Sequence, residues 1–173
     1  MKINNNIMRK LIIAVLFAVV CINNVHAQDN NTFWLGADIS GTTQLESNGE
    51  KLYNAKGEIR ENTALMKELG LNAIRLRVWV NPRGGWSGAE DVLEMAKRAK
   101  YYGMDVMIDF HYSDWWADPG KQHIPAAWQY MSYDEMKNAL SEHTQDVLSL
   151  LKKNGIDVNL LAAPASENGT RHE

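Results

Sequence analysis

Apolar and polar positions alternate strictly along Asn72–Val80 (NAIRLRVWV), a run rich in β-forming residues, and that period of two predicts a strand. Asp105–Phe110 (DVMIDF) is a further predicted strand, and Phe33–Ile39 (FWLGADI) reads as a buried strand leading into polar Asp38 and Ser40. Elsewhere the period changes. Ile59–Leu69 and Ala89–Tyr102 carry apolar residues at helical spacing, with Gly70 and Gly103 placed as C-terminal stops. Ser132, followed three residues on by Glu135, forms a capping box that opens a helix running to about Lys153, and Gly155 ends it. Asp157–Ala163 is a candidate fourth strand. Gly41–Lys56, with Asn48-Gly49 as a turn signal, reads as a loop, as do Asn81–Gly88 and the long aromatic stretch His111–Met131.

The predicted order is therefore β, α, β, α, β, α, β. Such alternation implies a parallel sheet with right-handed crossovers. Two α/β folds fit: a doubly wound open sheet, or a run of (β/α) units from an eight-fold TIM-type barrel. No Gly-rich phosphate turn follows the first strand, so a dinucleotide-binding fold loses support.

The N-terminus belongs to a different class. Lys2, Arg9 and Lys10 precede the apolar run Leu11–Ile22, and Val25-His26-Ala27 offers small residues at signal-peptidase positions. Residues 1–27 thus read as a secretory signal peptide, which directs the protein to the periplasm or the exterior. The apolar run is about twelve residues, whereas a bilayer crossing takes roughly 20. The mature chain is expected to have no membrane anchor. Cys21 is the only cysteine and leaves with the signal, so the secreted fold must rest on a packed core without disulfides. The net charge of −3 gives no electrostatic case for nucleic acid or anionic membrane as a partner.

Side chains two apart on a strand share a face. Arg75, Arg77 and Trp79 therefore lie opposite Ile74, Leu76 and Val78, while Gly36 and Asp38 share a face, as do Asp109 and His111. Three strands thus bring Asp38, Arg77, Asp109 and His111 to their carboxyl ends, where barrel and open-sheet enzymes alike build their sites. A structural reading stays open beside this one: Arg77 and Asp109 as a buried ion pair, His111 as a satisfied core histidine. The following loop, His111–Gln122 (HYSDWWADPGKQ), sets Trp115 and Trp116 beside Asp114 and Asp118. Indole rings stack on apolar sugar faces and carboxylates accept hydroxyl hydrogen bonds. Tryptophans such as Trp116 and Trp128 can equally pin a loop to the rim. No spacing of these aspartates and His111 matches a metal site, and no metal or cofactor is expected.

GADIS at Gly36–Ser40, IRLRVWVNP at Ile74–Pro82, AKRAKYYGM at Ala96–Met104 and DFHYSDWWADPGKQ at Asp109–Gln122 resemble glycoside hydrolase family 53, the arabinogalactan endo-β-1,4-galactanases. The resemblance runs from about Phe33 to Asp157 and implies a (β/α)8 barrel. Its substrate would be a polysaccharide: β-1,4-galactan, as in pectin side chains. It also implies that Arg77 and His111 line the sugar subsite at the cleavage point, with Asp38, Asp109 and the Trp115–Asp118 loop beside the substrate channel.

The family resembled is a retaining one, which uses two carboxylic acids about 5 Å apart. The acid/base glutamate follows an asparagine at the end of the fourth strand, and the nucleophile lies on the seventh. Here the chain diverges from about Asn159, and Glu167, near the acid/base position, follows Ser166. Such barrels take about 250 residues. Residues 28–173 are accordingly expected to be the N-terminal half, about four (β/α) units, with Glu167 as candidate acid/base and no residue assigned as nucleophile. A catalytically inactive carbohydrate-binding fragment, or a remnant without function, is the alternative.

Overall fold

The computed structural model describes residues 33–163. The expected signal peptide, 1–27, and Glu167 lie outside the described residues. In chain order the elements are β1 (Gly36–Asp38), α1 (Thr42–Ser47), β2 (Leu52–Tyr53), β3 (Ile59–Arg60), α2 (Asn62–Glu68), β4 (Ala73–Val78), α3 (Ala89–Tyr101), β5 (Asp105–Phe110), α4 (Tyr133–Lys153) and β6 (Val158–Ala162). Strands β1, β4, β5 and β6 form one sheet in that order, and every neighbouring pair is parallel.

One face of this sheet is closed by helices. Ile74, Leu76 and Val78 of β4 and Val106 and Ile108 of β5 are at most 2% exposed. They share a core with Val92, Met95 and Ala96 of α3 and Val147 and Leu151 of α4. Each fully buried aliphatic side chain of this kind contributes about 1.5–3 kcal/mol. The opposite face carries Arg75, Arg77, Met107 and Asp109. Beside Arg75 and Met107 it holds a cavity of about 220 Å³, further lined by Trp34, Ala37, Asp38 and Leu160. Helices against one face only are the arrangement of a barrel; a doubly wound sheet carries them on both. The fold is the (β/α)8 barrel type, with the first four sheet strands present.

Local signals explain most boundaries. Ser132 caps α4 by accepting from the Glu135 amide, and the Glu135 carboxylate accepts from the Ser132 amide. Arg98 and Lys100 lie in the last turn of α3, where cations suit the helix dipole. Gly103 turns the chain into β5 at φ 61°. Among the described residues no helix is long and apolar enough to cross a membrane.

Two stretches differ from expectation. Gly41–Lys56, expected as a loop, holds α1 and β2, and β2 pairs antiparallel with β3. Tertiary contacts make this excursion. Arg98 of α3 donates to Glu46, Glu61 and Glu94 at 2.9–3.3 Å, which ties α1 and the start of α2 to α3. The Glu61 carboxylate accepts from the Thr63 and Ala64 amides, both at 2.9 Å, and so starts α2 at Asn62 rather than Ile59. Strand β1 is also shorter than the predicted Phe33–Ile39. Among the described residues Trp34 and Leu35 remain 43% and 49% exposed, so they lack the burial that would reward an extended core strand. At Gly36 the two backbones come so close that a Cβ would sit 2.9 Å from the Ala73 carbonyl oxygen.

Candidate functional site

At the carboxyl ends of β1, β4 and β5 four charged side chains and a histidine converge. The parallel register sets Asp38 beside Arg75 and Arg77 beside Asp109. The guanidinium of Arg75 donates to both Asp38 and Asp109, bridging the two strands that flank β4. Asp109 is only 2% exposed, and its charge is held by Arg75 and by His111 Nε2 at 2.9 Å. A buried carboxylate is tolerable only when paired and hydrogen-bonded in this way.

The same contacts fix the histidine. His111 is 3% exposed, and its Nδ1 accepts the Ala117 amide at 3.2 Å. With Nδ1 accepting, Nε2 is the nitrogen that donates to Asp109.

Asp38 and Arg77 meet on the other side of Arg75. Arg77 Nε lies 3.6 Å from the Asp38 carboxylate. The Ser40 hydroxyl donates to Asp38 at 2.6 Å and accepts the Arg77 amide at 2.8 Å, locking the end of β1 to β4. Burial pushes the Asp38 carboxyl up, but the Ser40 hydroxyl and amide and the charges of Arg77 and Arg75 outweigh it. Its pKa ends below the ordinary 3.8, so it is an anion at neutral pH.

Aromatic rings cover this cluster. The Arg77 guanidinium lies 4.9 Å from the Trp116 ring centre and 5.6 Å from that of Trp79. Trp116 meets His111 edge to face at 5.5 Å, and Trp115 stacks on Trp79 at 5.6 Å with 22° between planes. Trp115 nevertheless leaves 65% of its surface in solvent. Its ring is held flat from behind and open in front, the geometry of a platform for an apolar sugar face.

The carrying loop is braced from within. Asp114 accepts from the amides of Asn81 and Ala126, both at 2.9 Å, joining the loop after β4 to both ends of the aromatic stretch. Asp118 accepts from Trp116 Nε1 at 3.1 Å and from the Gly120 amide at 2.9 Å. Among the described residues no group of three His, Cys, Asp or Glu side chains is arranged to hold a metal ion.

Of the candidate residues, Asp38, Arg77, Asp109, His111 and Trp116 form one contiguous cluster, and Trp115 joins it through Trp79. Asp118 is turned inward to the loop. Glu167 lies outside the described residues. The Arg77–Asp109 ion pair of the structural reading is replaced: although Arg77 is the register neighbour of Asp109, its guanidinium is taken up by Asp38 and the indoles, and the arginine that pairs with Asp109 is Arg75. Arg75 is the group that sequence reasoning left out of the site, although alternation put it on the same face as Arg77.

The match to known proteins falls on this same region. The model of glycosyl hydrolase family 53 matches residues 34–163. The chain belongs to that family. The endo-beta-1,4-galactanase of Bacillus subtilis (strain 168) is 37% identical over 140 residues, covering 76% of this chain and 33% of that protein. The arabinogalactan endo-beta-1,4-galactanase of Cellvibrio japonicus (strain Ueda107) is 36% identical over 155 residues, covering 88% of this chain and 41% of that protein. Among solved structures, fungal beta-1,4-galactanases superpose with a TM-score of 0.70 at 36% identity, over 74% of this chain and 38% of that one. The family 53 catalytic domain of Ignisphaera aggregans also superposes at 0.70 and 36%, over 75% and 38%. The chain thus spans 33–41% of the length of these two curated relatives.

Proposed function

We propose that this chain forms the substrate-gripping N-terminal part of a secreted hydrolase that cleaves β-1,4-galactosidic bonds in galactan or arabinogalactan with retention. The observation that carries the reading is the charge-balanced cluster of Asp38, Arg75, Arg77, Asp109 and His111, joined through Trp79 to the exposed ring of Trp115. An acid, an arginine and a flat indole suit a neutral polysaccharide: hydroxyls pair with the ionic groups, and the ring's C–H face lies on the indole. Family membership supports galactan as the substrate class.

In the retaining reaction an acid protonates the leaving oxygen while a second carboxylate attacks the anomeric carbon, and water then releases the glycosyl-enzyme. The residues of the described chain serve that chemistry by binding and orientation. Asp38, held ionised, accepts sugar hydroxyls. Arg77 donates to the sugar and presents a fixed positive charge to a carboxylate arriving from a later strand. Trp115 stacks on the adjoining residue, and Glu167 is the candidate proton donor. Secretion rests on the charged, apolar and small-residue segments of residues 1–27.

The test is hydrolysis of β-1,4-galactan by the protein collected from its native host, with arabinan and xylan as controls. Reducing ends should rise on galactan and stay flat on the others; equal release from all three contradicts the substrate assignment. N-terminal sequencing of the same material should begin at Gln28.

A further inference from the structure

We infer that Arg75 is a positioning residue: it engages both carboxylates within reach of Arg77, and so leaves the Arg77 guanidinium resting on the indoles with its donors unspent. The functional consequence rests on the galactan-binding reading above; the geometry stands without it. Register alone would pair the charges differently. Arg77 is the register partner of Asp109 on β5, and Arg75 that of Met107. Yet Arg75 donates both to Asp38, its register partner on β1, and to Asp109. The Asp109 oxygen that accepts from Arg75 also takes His111 Nε2 at 2.9 Å. The other oxygen of Asp38 accepts the Ser40 hydroxyl at 2.6 Å and the Ser40 amide at 3.0 Å.

Arg77 is left over. Among the described residues its guanidinium makes no hydrogen bond, and its Nε is buried without an acceptor. Asp38 Oδ2 lies 3.6 Å away, close enough for charge attraction, but that oxygen already serves Arg75. The Trp116 and Trp79 rings, 4.9 and 5.6 Å from the guanidinium carbon, hold the rest of the group. A guanidinium forks onto a carboxylate wherever one is free, and a buried donor without an acceptor is costly. The arrangement is consistent when the acceptor comes from outside, as a sugar hydroxyl would. An Arg77 already bonded to Asp38 or Asp109 would have to break that bond before the sugar could bind.

Removing Arg75 frees Asp38 Oδ2, and Arg77 Nε should close on it. In Arg75→Met, NMR of the full chain without ligand should show the Arg77 Nε–H resonance moving downfield, away from the shielding of the indoles. Its exchange with water should slow about tenfold as the charge-assisted bond forms. Arg75→Met/Asp38→Asn removes the competing charge and should return the resonance toward its original place. Arg75→Lys should fall between, because an ammonium is a point charge and cannot span two carboxylates as the planar fork does. Affinity for β-1,4-galactan, measured by titration calorimetry, should drop about tenfold in Arg75→Met, since sugar and Asp38 then compete for one guanidinium.

A merely structural Arg75 would lower the melting temperature and leave the Arg77 resonance unmoved, and that result overturns the inference. Failure of the unsubstituted chain to bind galactan would contradict the substrate reading, while the Arg77 resonance would still decide the positioning role. A measurement on the unsubstituted chain guards against variants that fail to fold. The two Nη groups of Arg75, each bonded to a carboxylate, should rotate slowly about their bonds to Cζ, whereas those of Arg77 should rotate freely. Equally hindered rotation at Arg77 overturns the inference.

Discussion

Replacing Arg75 with methionine leaves two carboxylates without the guanidinium that joins them, and the structure sets the size of the effect. The Asp109 side chain is 3% exposed, so its charge would keep only the His111 imidazole as a partner. Removing one partner of a buried ion pair costs about 3–5 kcal/mol, because the other charge is stranded. The Arg75 side chain is itself 35% exposed and that of Asp38 28%, so water relieves part of the loss. The expected cost is about 3 kcal/mol, the low end of that range. At about 2–4 °C per kcal/mol for a domain of this size, the midpoint of thermal unfolding should fall by about 6–12 °C.

The double variant Arg75→Met/Asp109→Asn separates the cause. It removes the stranded charge together with its partner, so it should recover roughly half of the single variant's loss. Differential scanning calorimetry of wild type, both singles and the double completes the cycle. A single Arg75→Met within about 0.5 kcal/mol of wild type would refute the reasoning, since that is the behaviour of an exposed surface pair.

Three further outcomes follow from other parts of the molecule. Gly36→Ala should destabilise by about 1–3 kcal/mol in urea unfolding, because its Cβ would meet the Ala73 carbonyl oxygen at 2.9 Å between paired strands. Trp115→Ala should weaken galactan binding at least about tenfold by titration calorimetry, through loss of the exposed indole face, while the fold stays intact. Acid should loosen the junction between α4 and the aromatic loop, where His143 lies edge-on to Phe110, Tyr112 and Trp128 at 6.0–6.4 Å. Burial lowers the His143 pKa below 6.5, with Asp146 pulling the other way. As pH falls below 6.5 the unfolded chain takes up a proton that the folded ring resists, so stability is lost until the lower folded value is passed. The lowered carboxyl of Asp38 adds a second loss below its ordinary 3.8. Thermal midpoints across that pH range should slope for wild type, and the upper part of the slope should vanish in His143→Phe.

The parts of this structure that could be read from sequence are those whose cause is local. Strand β5 matches Asp105–Phe110 because its short apolar run and the flanking Gly103 are both written in neighbouring residues. Helix α4 was equally plain, since the Ser132–Glu135 box needs nothing beyond four residues. What escaped notice depends on partners far along the chain. The two-residue strands β2 and β3 have no period to display, and they are held by Arg60 pairing with Glu58 and Glu68 and by the Asn54 turn. Helix α2 begins where Glu61 caps it, a residue type with little preference for that position, made suitable here by Arg98 beside it.

The candidate site divides along the same line. Alternation correctly put Asp38, Arg77 and Asp109 on one face, with Arg75 among them. It could not say which arginine would pair with which carboxylate. That choice is made by partners distant in the chain: Asp38 and the Trp79 and Trp116 rings take up the Arg77 guanidinium, and Asp109 is left to Arg75. The sequence of the aromatic loop announced sugar contacts, yet the inward hydrogen bonds of Asp114 and Asp118 show that its carboxylates first serve the loop itself.

Affinity electrophoresis of the full chain in native gels cast with β-1,4-galactan, arabinan or xylan tests the central claim most directly. Retardation in the galactan gel alone, abolished in Trp115→Ala, is the result the account predicts. Equal mobility in all three gels, or retardation that survives the loss of Trp115, would contradict it.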